Sequence, residues 1–143
     1  MKITEYIKTK TLYLDGGMGT LLQSAGLKAG ELPELWNLSN PDVITGIHRD
    51  YFDAGSNVVN TNTFGANVLK FSEQELETVI KAAVFNAKKA ANESSSTQNK
   101  WVALDVGPTG RMLMPFGDLS FEDAVEVFAK TVRLGAKYGV DLI

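Results

Sequence analysis

Three places in this chain combine a carboxylate or amide with nearby glycine at the end of an apolar run. Asp15 ends residues 11–15 and opens onto Gly16-Gly17-Met18-Gly19-Thr20. Asn60, Thr61, Asn62 and Thr63 close a second run, and Asp105 closes a third, followed by Gly107-Pro108-Thr109-Gly110. A carboxylate can bind an amino group, and glycine amides beside it can bind a carboxylate or phosphate. Together they would suit an amino acid, which carries both charges. Any one such Asp or Asn is read equally well as turn chemistry; the recurrence at three run ends favours a site. The spacing of Gly16, Gly17 and Gly19 departs from the dinucleotide fingerprint and gives little support to nucleotide binding.

Few other residues compete for a chemical role. His48, the single histidine, sits mid-helix beside Ile47 and Arg49 and reads as a packing or solvated residue. Trp36 and Trp101 read as core or loop anchors, and Lys88-Lys89 as solvated helix surface. Cysteine is absent, so the chain has no disulfide, thiolate nucleophile or cysteine-held metal.

The positioning elements alternate. Strands are expected at residues 11–15, 57–61, 101–106 and 140–143. A short helix is expected over 20–25, ended by Gly26, and an irregular stretch then runs through Pro33 and Trp36. Asn40-Pro41-Asp42 is a helix start: Asn caps the amides, Pro fits the first turn, Asp favours the dipole. Val43, Ile44, Ile47, Tyr51 and Ala54 follow at helical spacing, and Gly55 stops the helix. Leu76, Val79, Ile80, Ala83, Ala87, Ala90 and Ala91 mark a second long helix. Residues 93–99 form a polar surface loop. Ser120 and Asp123 resemble a capping box. Phe121, Ala124, Val125, Phe128, Val132 and Gly135 are expected to be the buried face of a third long helix, ended by Gly139. Strand–helix alternation implies a parallel sheet, since parallel neighbours need crossovers. A doubly wound sheet and half of an eight-stranded barrel both fit.

The 143 residues suffice for one domain, and a 44% hydrophobic, 22% charged composition can bury a core. A net charge of -3 argues against nucleic acid or an anionic membrane as the main partner. No apolar run could span a bilayer and the N-terminus lacks a signal-peptide core, so a cytoplasmic location is expected.

In order along the chain stand 14–20 (LDGGMGT), 40–43 (NPDV), 48–51 (HRDY), 54–56 (AGS), 61–67 (TNTFGAN) and 105–110 (DVGPTG). This series closely resembles the start of the homocysteine S-methyltransferase family, above all the homocysteine-binding barrel of cobalamin-dependent methionine synthases. Betaine-dependent enzymes are more distant relatives. The resemblance implies an α/β fold, the first half of a (β/α)8 TIM barrel with about four parallel strands and three long helices, filling residues 1–143 as one unit. It implies zinc-dependent methylation of homocysteine to methionine. The methyl group would come from methyltetrahydrofolate by way of cobalamin, with betaine or S-methylmethionine as alternative donors. A free thiol, with a pKa of about 8.5, is mostly protonated at neutral pH; the family binds it to zinc held by three cysteines on later strands. This chain has none, so no catalytic or metal residue carries over, and it is expected to be inactive alone. Asp15 matches the position that binds the substrate amino group. Gly17, Met18, Gly19 and Thr20 match the loop whose amides approach the substrate carboxylate, and Asn62 and Asp105 match strand-end pocket positions. Expected partners are homocysteine and either the remainder of the barrel or a second copy of this chain. In an open half-barrel, Leu12 or Tyr13 and Val58 or Val59 would lose the opposite wall of the core. The rival reading is a non-catalytic half-barrel that binds a small anion or a partner chain.

Overall fold

A computed structural model describes all of residues 1–143. Short helices α1 (Ile3–Tyr6) and α2 (Gly19–Ser24) flank the first extended segment. A 3-10 turn at Pro33–Leu35 leads into α3 (Trp36–Ser39), so the stretch expected to be irregular is helical in part. The rest runs α4 (Pro41–Ala54), β1 (Val58–Asn60), α5 (Glu73–Glu93), β2 (Trp101–Ala103) and α6 (Phe121–Tyr138).

β1 and β2 pair in parallel, with Val58 opposite Trp101 and Asn60 opposite Ala103. Two parallel strands stand where about four were expected. The outer segments keep their places but are reduced to single parallel bridges, Leu14 to Val58 and Leu142 to Ala103. Each has a neighbour on one side only. The first segment is also poorly covered, with Tyr13 61% and Leu14 57% exposed. With one neighbour and little burial, three backbone hydrogen bonds hold the segment without extending a ladder. The amides of Asn57 and Val58 both donate to Tyr13 O, at 2.7 and 3.1 Å, and Asp15 N donates to Val58 O at 3.0 Å. Val58 and Val59 are both fully buried, against the expectation that one of them would face an open wall.

The helix boundaries follow local chemistry. Gly55 and Gly139 close α4 and α6 with φ of 116° and 85°, the left-handed geometry that glycine tolerates best. Asn40 does not cap α4 with its side chain: that amide donates to Ser39 Oγ instead, because α3 runs directly into the junction. The full capping box belongs to α5, where Ser72 and Glu75 each accept from the other's backbone N–H. At α6, Ser120 accepts from Asp123 N at 3.0 Å without the return bond.

α5 is the central helix. Leu76, Val79, Ile80 and Val84 join Ala66, Phe71 and Leu104 in the largest core cluster, while Ala87 and Ala90 pack with Phe52, Val59 and Val102. α6 meets this core through Ala124, Val127, Thr131 and Gly135. The expected face is thus rotated: Phe121, Val125 and Phe128 are exposed. Close approach decides this, since a Cβ on Gly135 would lie 2.5 Å from Leu104 Cδ2. Small residues let the helix sit against Leu104 and turn its larger side chains outward. Trp101 is buried and meets Tyr6 edge-on at 5.2 Å. No helix is long and apolar enough to cross a membrane.

Candidate functional site

The carboxyl ends of the extended segments surround a polar cavity of about 330 Å³. Of the residues expected at a site, Asp15, Gly17, Met18, Gly19, Asn62 and Asp105 line it, and Thr20 does not. Thr20 lies inside α2 and is exposed.

Asp15 is half-buried and fixed by β1: Oδ2 accepts from Asn60 N at 2.8 Å and Oδ1 from Asn60 Nδ2 at 2.7 Å. Burial raises its pKa, and the Asn60 bonds oppose that rise. Asp105 is raised too, first by burial and then by the negative charges of Asp15 and Glu34. Asp105 is held from behind. Its N–H donates to Thr61 Oγ1 at 3.2 Å and its carbonyl accepts from Thr63 Oγ1 at 2.7 Å. Like charges in a partly dry site favour a cation between them.

The glycine loop lines the same cavity as these carboxylates. Tyr51 donates its hydroxyl to Gly17 O at 2.7 Å, and a Cβ on Gly16 would lie 2.9 Å from that hydroxyl. Side-chain capping is absent at the N-terminus of α2, whose first amides have no intrahelical acceptor. Those donors suit the carboxylate of a ligand whose ammonium lies toward Asp15 and Asp105.

Asn62 is buried, and its side chain is committed to structure: Nδ2 donates to Pro33 O at 2.8 Å. Its own carbonyl accepts from Asn37 Nδ2 at 2.8 Å. The Pro33–Leu35 turn therefore straps the loop after β1, and Glu34 belongs to that strap. Glu34 is only 4% exposed, lines the cavity and accepts from Gly65 N through Oε1 at 2.6 Å. Gly107 lets the third segment pass close to the same loop, since a Cβ there would lie 2.1 Å from Phe64 O.

Sequence reasoning missed Glu34, read Tyr51 as part of a helix stripe and of the 48–51 motif without a partner, and gave Asn60 no specific partner. The order Leu32-Pro33-Glu34 carries no periodic signal; only the proline marks a turn. His48 is fully buried on α4 and is not among the cavity-lining residues.

Parallel extended segments joined by crossover helices, with an acidic pocket and free amides at their carboxyl ends, define an α/β protein with a candidate site where such folds hold ligands. The chain belongs to the homocysteine S-methyltransferase family, whose model matches residues 12–143. It is 32% identical over 117 residues to the methionine synthase of Mycobacterium tuberculosis (strain ATCC 25618 / H37Rv), covering 74% of this chain and 10% of that protein. With the methionine synthase of Mycobacterium leprae (strain TN) the identity is 29% over 152 aligned residues, 99% of this chain and 12% of that protein. The metallated form of the homocysteine methyltransferase MmuM from Escherichia coli superposes with a TM-score of 0.78 at 24% identity, over 96% of this chain and 55% of that chain. Its apo form gives 0.75 at 26% identity, over 95% and 49%. The chain thus spans about a tenth of the curated relatives and about half of the solved ones.

Proposed function

We propose that this chain is the homocysteine-binding portion of a methyltransferase that converts homocysteine to methionine, built as the first half of a (β/α)8 barrel. The observation that carries the reading is the one cavity that Asp15 and Asp105 line together with residues 16–19. Asp15, held by Asn60, and Asp105 receive the substrate ammonium. Gly17, Met18 and Gly19 receive its carboxylate, Thr20 supports their turn, and Asn62 shapes the wall. The methyl donor of the reading is methyltetrahydrofolate through cobalamin, with betaine or S-methylmethionine as alternatives, and the site is cytoplasmic.

Zinc does not fit the residues present. Cysteine is absent, and no three His, Cys, Asp or Glu side chains cluster as metal ligands. Thiolate-rich coordination has no donors here. The chain is therefore expected to bind the amino-acid end of homocysteine, hold no stoichiometric zinc and transfer no methyl group. Titration with homocysteine, followed by the amide signals of Gly16–Gly19, Asn60 and Asn62, tests the reading together with metal analysis. Unmoved signals at saturating homocysteine would sink it, and one tightly held zinc per chain would overturn the assignment of metal binding elsewhere.

Exposed apolar residues support a partner for this chain. Tyr13, Leu14, Phe64 and Phe116 are 61%, 57%, 60% and 86% exposed. Wetting such surface is unfavourable by roughly 25 cal/mol per Å². The reading places either the remainder of the barrel or a second copy of the chain there. Alone at micromolar concentration, the chain is expected to self-associate. Light scattering during size-exclusion chromatography measures this; a stable species at 15.5 kDa would contradict it. The same surface is what favours the second reading, a non-catalytic assembly module.

A further inference from the structure

Glu34 carries an unmet hydrogen-bonding need in the wall of the cavity. Its Oε1 is occupied by Gly65 N at 2.6 Å, while its Oε2 is buried without any partner. The residue is 4% exposed, and its charge reaches Asp105. A buried carboxylate oxygen left unpaired is expensive, and one that lines a binding cavity is relieved by a ligand donor.

The chain's own cations leave that need open. Lys70 Nζ would lie 2.9 Å from a Cβ on Gly65, yet Lys70 forms no ion pair with Glu34. Asn37 Nδ2, on α3, is committed to the carbonyls of Glu34 and Asn62, both at 2.8 Å. Gly65 is part of the arrangement, since a Cβ there would meet Glu34 Oε1 at 2.6 Å. The missing side chain lets the loop amide reach the carboxylate and fix its rotamer.

We infer that Glu34 is a specificity-determining residue of the cavity, whose unpaired Oε2 accepts a hydrogen bond from the ammonium of an α-amino acid alongside Asp15 and Asp105. This rests on the homocysteine reading and deepens it. Selection for the amino group then comes from a residue on the strap before α3 as well as from the segment ends. A neutral or deaminated thiol acid would leave Oε2 unpaired and bind more weakly.

Glu34→Gln tests this, because the amide oxygen can still accept from Gly65 N while the charge is gone. Homocysteine and its deaminated analogue γ-mercaptobutyrate are titrated into the full chain and into the variant. Glu34→Gln is expected to weaken homocysteine about tenfold and leave γ-mercaptobutyrate within about twofold, a loss of one charge-assisted bond. Equal weakening of both ligands, or of neither, overturns the inference in favour of a loop clamp. The unaltered chain gives an independent readout through the isotope-labelled Glu34 carboxyl carbon, which should respond to homocysteine and not to γ-mercaptobutyrate. An unmoved carboxyl signal with homocysteine bound overturns the inference even if the variant fails to fold. If the unaltered chain binds neither ligand, the homocysteine reading falls and takes this one with it.

Discussion

Between pH 6.5 and about 4, the chain is expected to lose stability through His48. The imidazole is fully buried on α4, and neither Nδ1 nor Nε2 has a hydrogen-bond partner. Burial pushes its pKa down from 6.5 to about 4. Above pH 6.5 the ring is neutral in both folded and unfolded chains. Below it, the unfolded chain binds a proton that the folded chain refuses, so stability falls with pH until the folded ring also protonates near 4. The full loss is about 3 kcal/mol, a large share of the stability of a domain this size. Asp15 and Asp105 act in the opposite sense. Their raised values favour the folded state at low pH, and that contribution disappears as pH rises through them. His48→Leu keeps roughly the side-chain volume and removes both orphan nitrogens. Urea midpoints of both proteins at pH 7 and pH 4.5 isolate the term. The variant should lose much less on acidification, and parallel losses would show that His48 protonates without opposing the fold.

Asp15→Asn is expected to weaken homocysteine binding by about 1–3 kcal/mol, roughly 5- to 150-fold. In the proposed reading, the substitution removes the charge that faces the ligand ammonium. It also sets an amide donor against one of the two Asn60 donors that Asp15 now accepts. A second consequence separates binding from folding. The charge of Asp15 is one cause of the raised pKa of Asp105, so Asp105 should titrate lower in the variant. Binding should also be pH-dependent in the unaltered chain. It weakens as pH falls through the raised carboxyl values, because protonated Asp15 and Asp105 no longer attract a cation. Calorimetric titration at several pH values, with the Asp105 carboxyl signal followed in parallel, decides the matter. Unchanged affinity would assign Asp15 to holding β1 through Asn60 and nothing more.

The family match and the cavity were both legible in one dimension, for the same reason. The glycine loop, the 61–67 motif and the 105–110 motif are contiguous, and contiguous residues share one segment end. Asp15, Gly17, Met18, Gly19, Asn62 and Asp105 thus line one cavity. The three long helices were legible through their apolar spacing. Their ends at Gly55 and Gly139 were legible because a left-handed residue is a local demand. The Ser72–Glu75 box carried an equally local signal that reading by apolar runs passed over.

Tertiary structure decided what depends on a distant neighbour. Glu34 meets Gly65, Asp15 meets Asn60 and Tyr51 meets Gly17, pairs 31, 45 and 34 residues apart. No periodicity relates such positions. The buried face of α6 was likewise settled by Leu104 pressing on Gly135, and not by where the largest apolar side chains fall. His48 was driven inside by the helix it sits on, although an imidazole without partners is disfavoured there. The outer segments shrank to single bridges because strand pairing needs a neighbour as well as a sequence. Sequence determined the local conformations and the chemistry available at the segment ends. Packing determined which of those groups face the cavity, because burial and long-range hydrogen bonding exist only once distant segments meet.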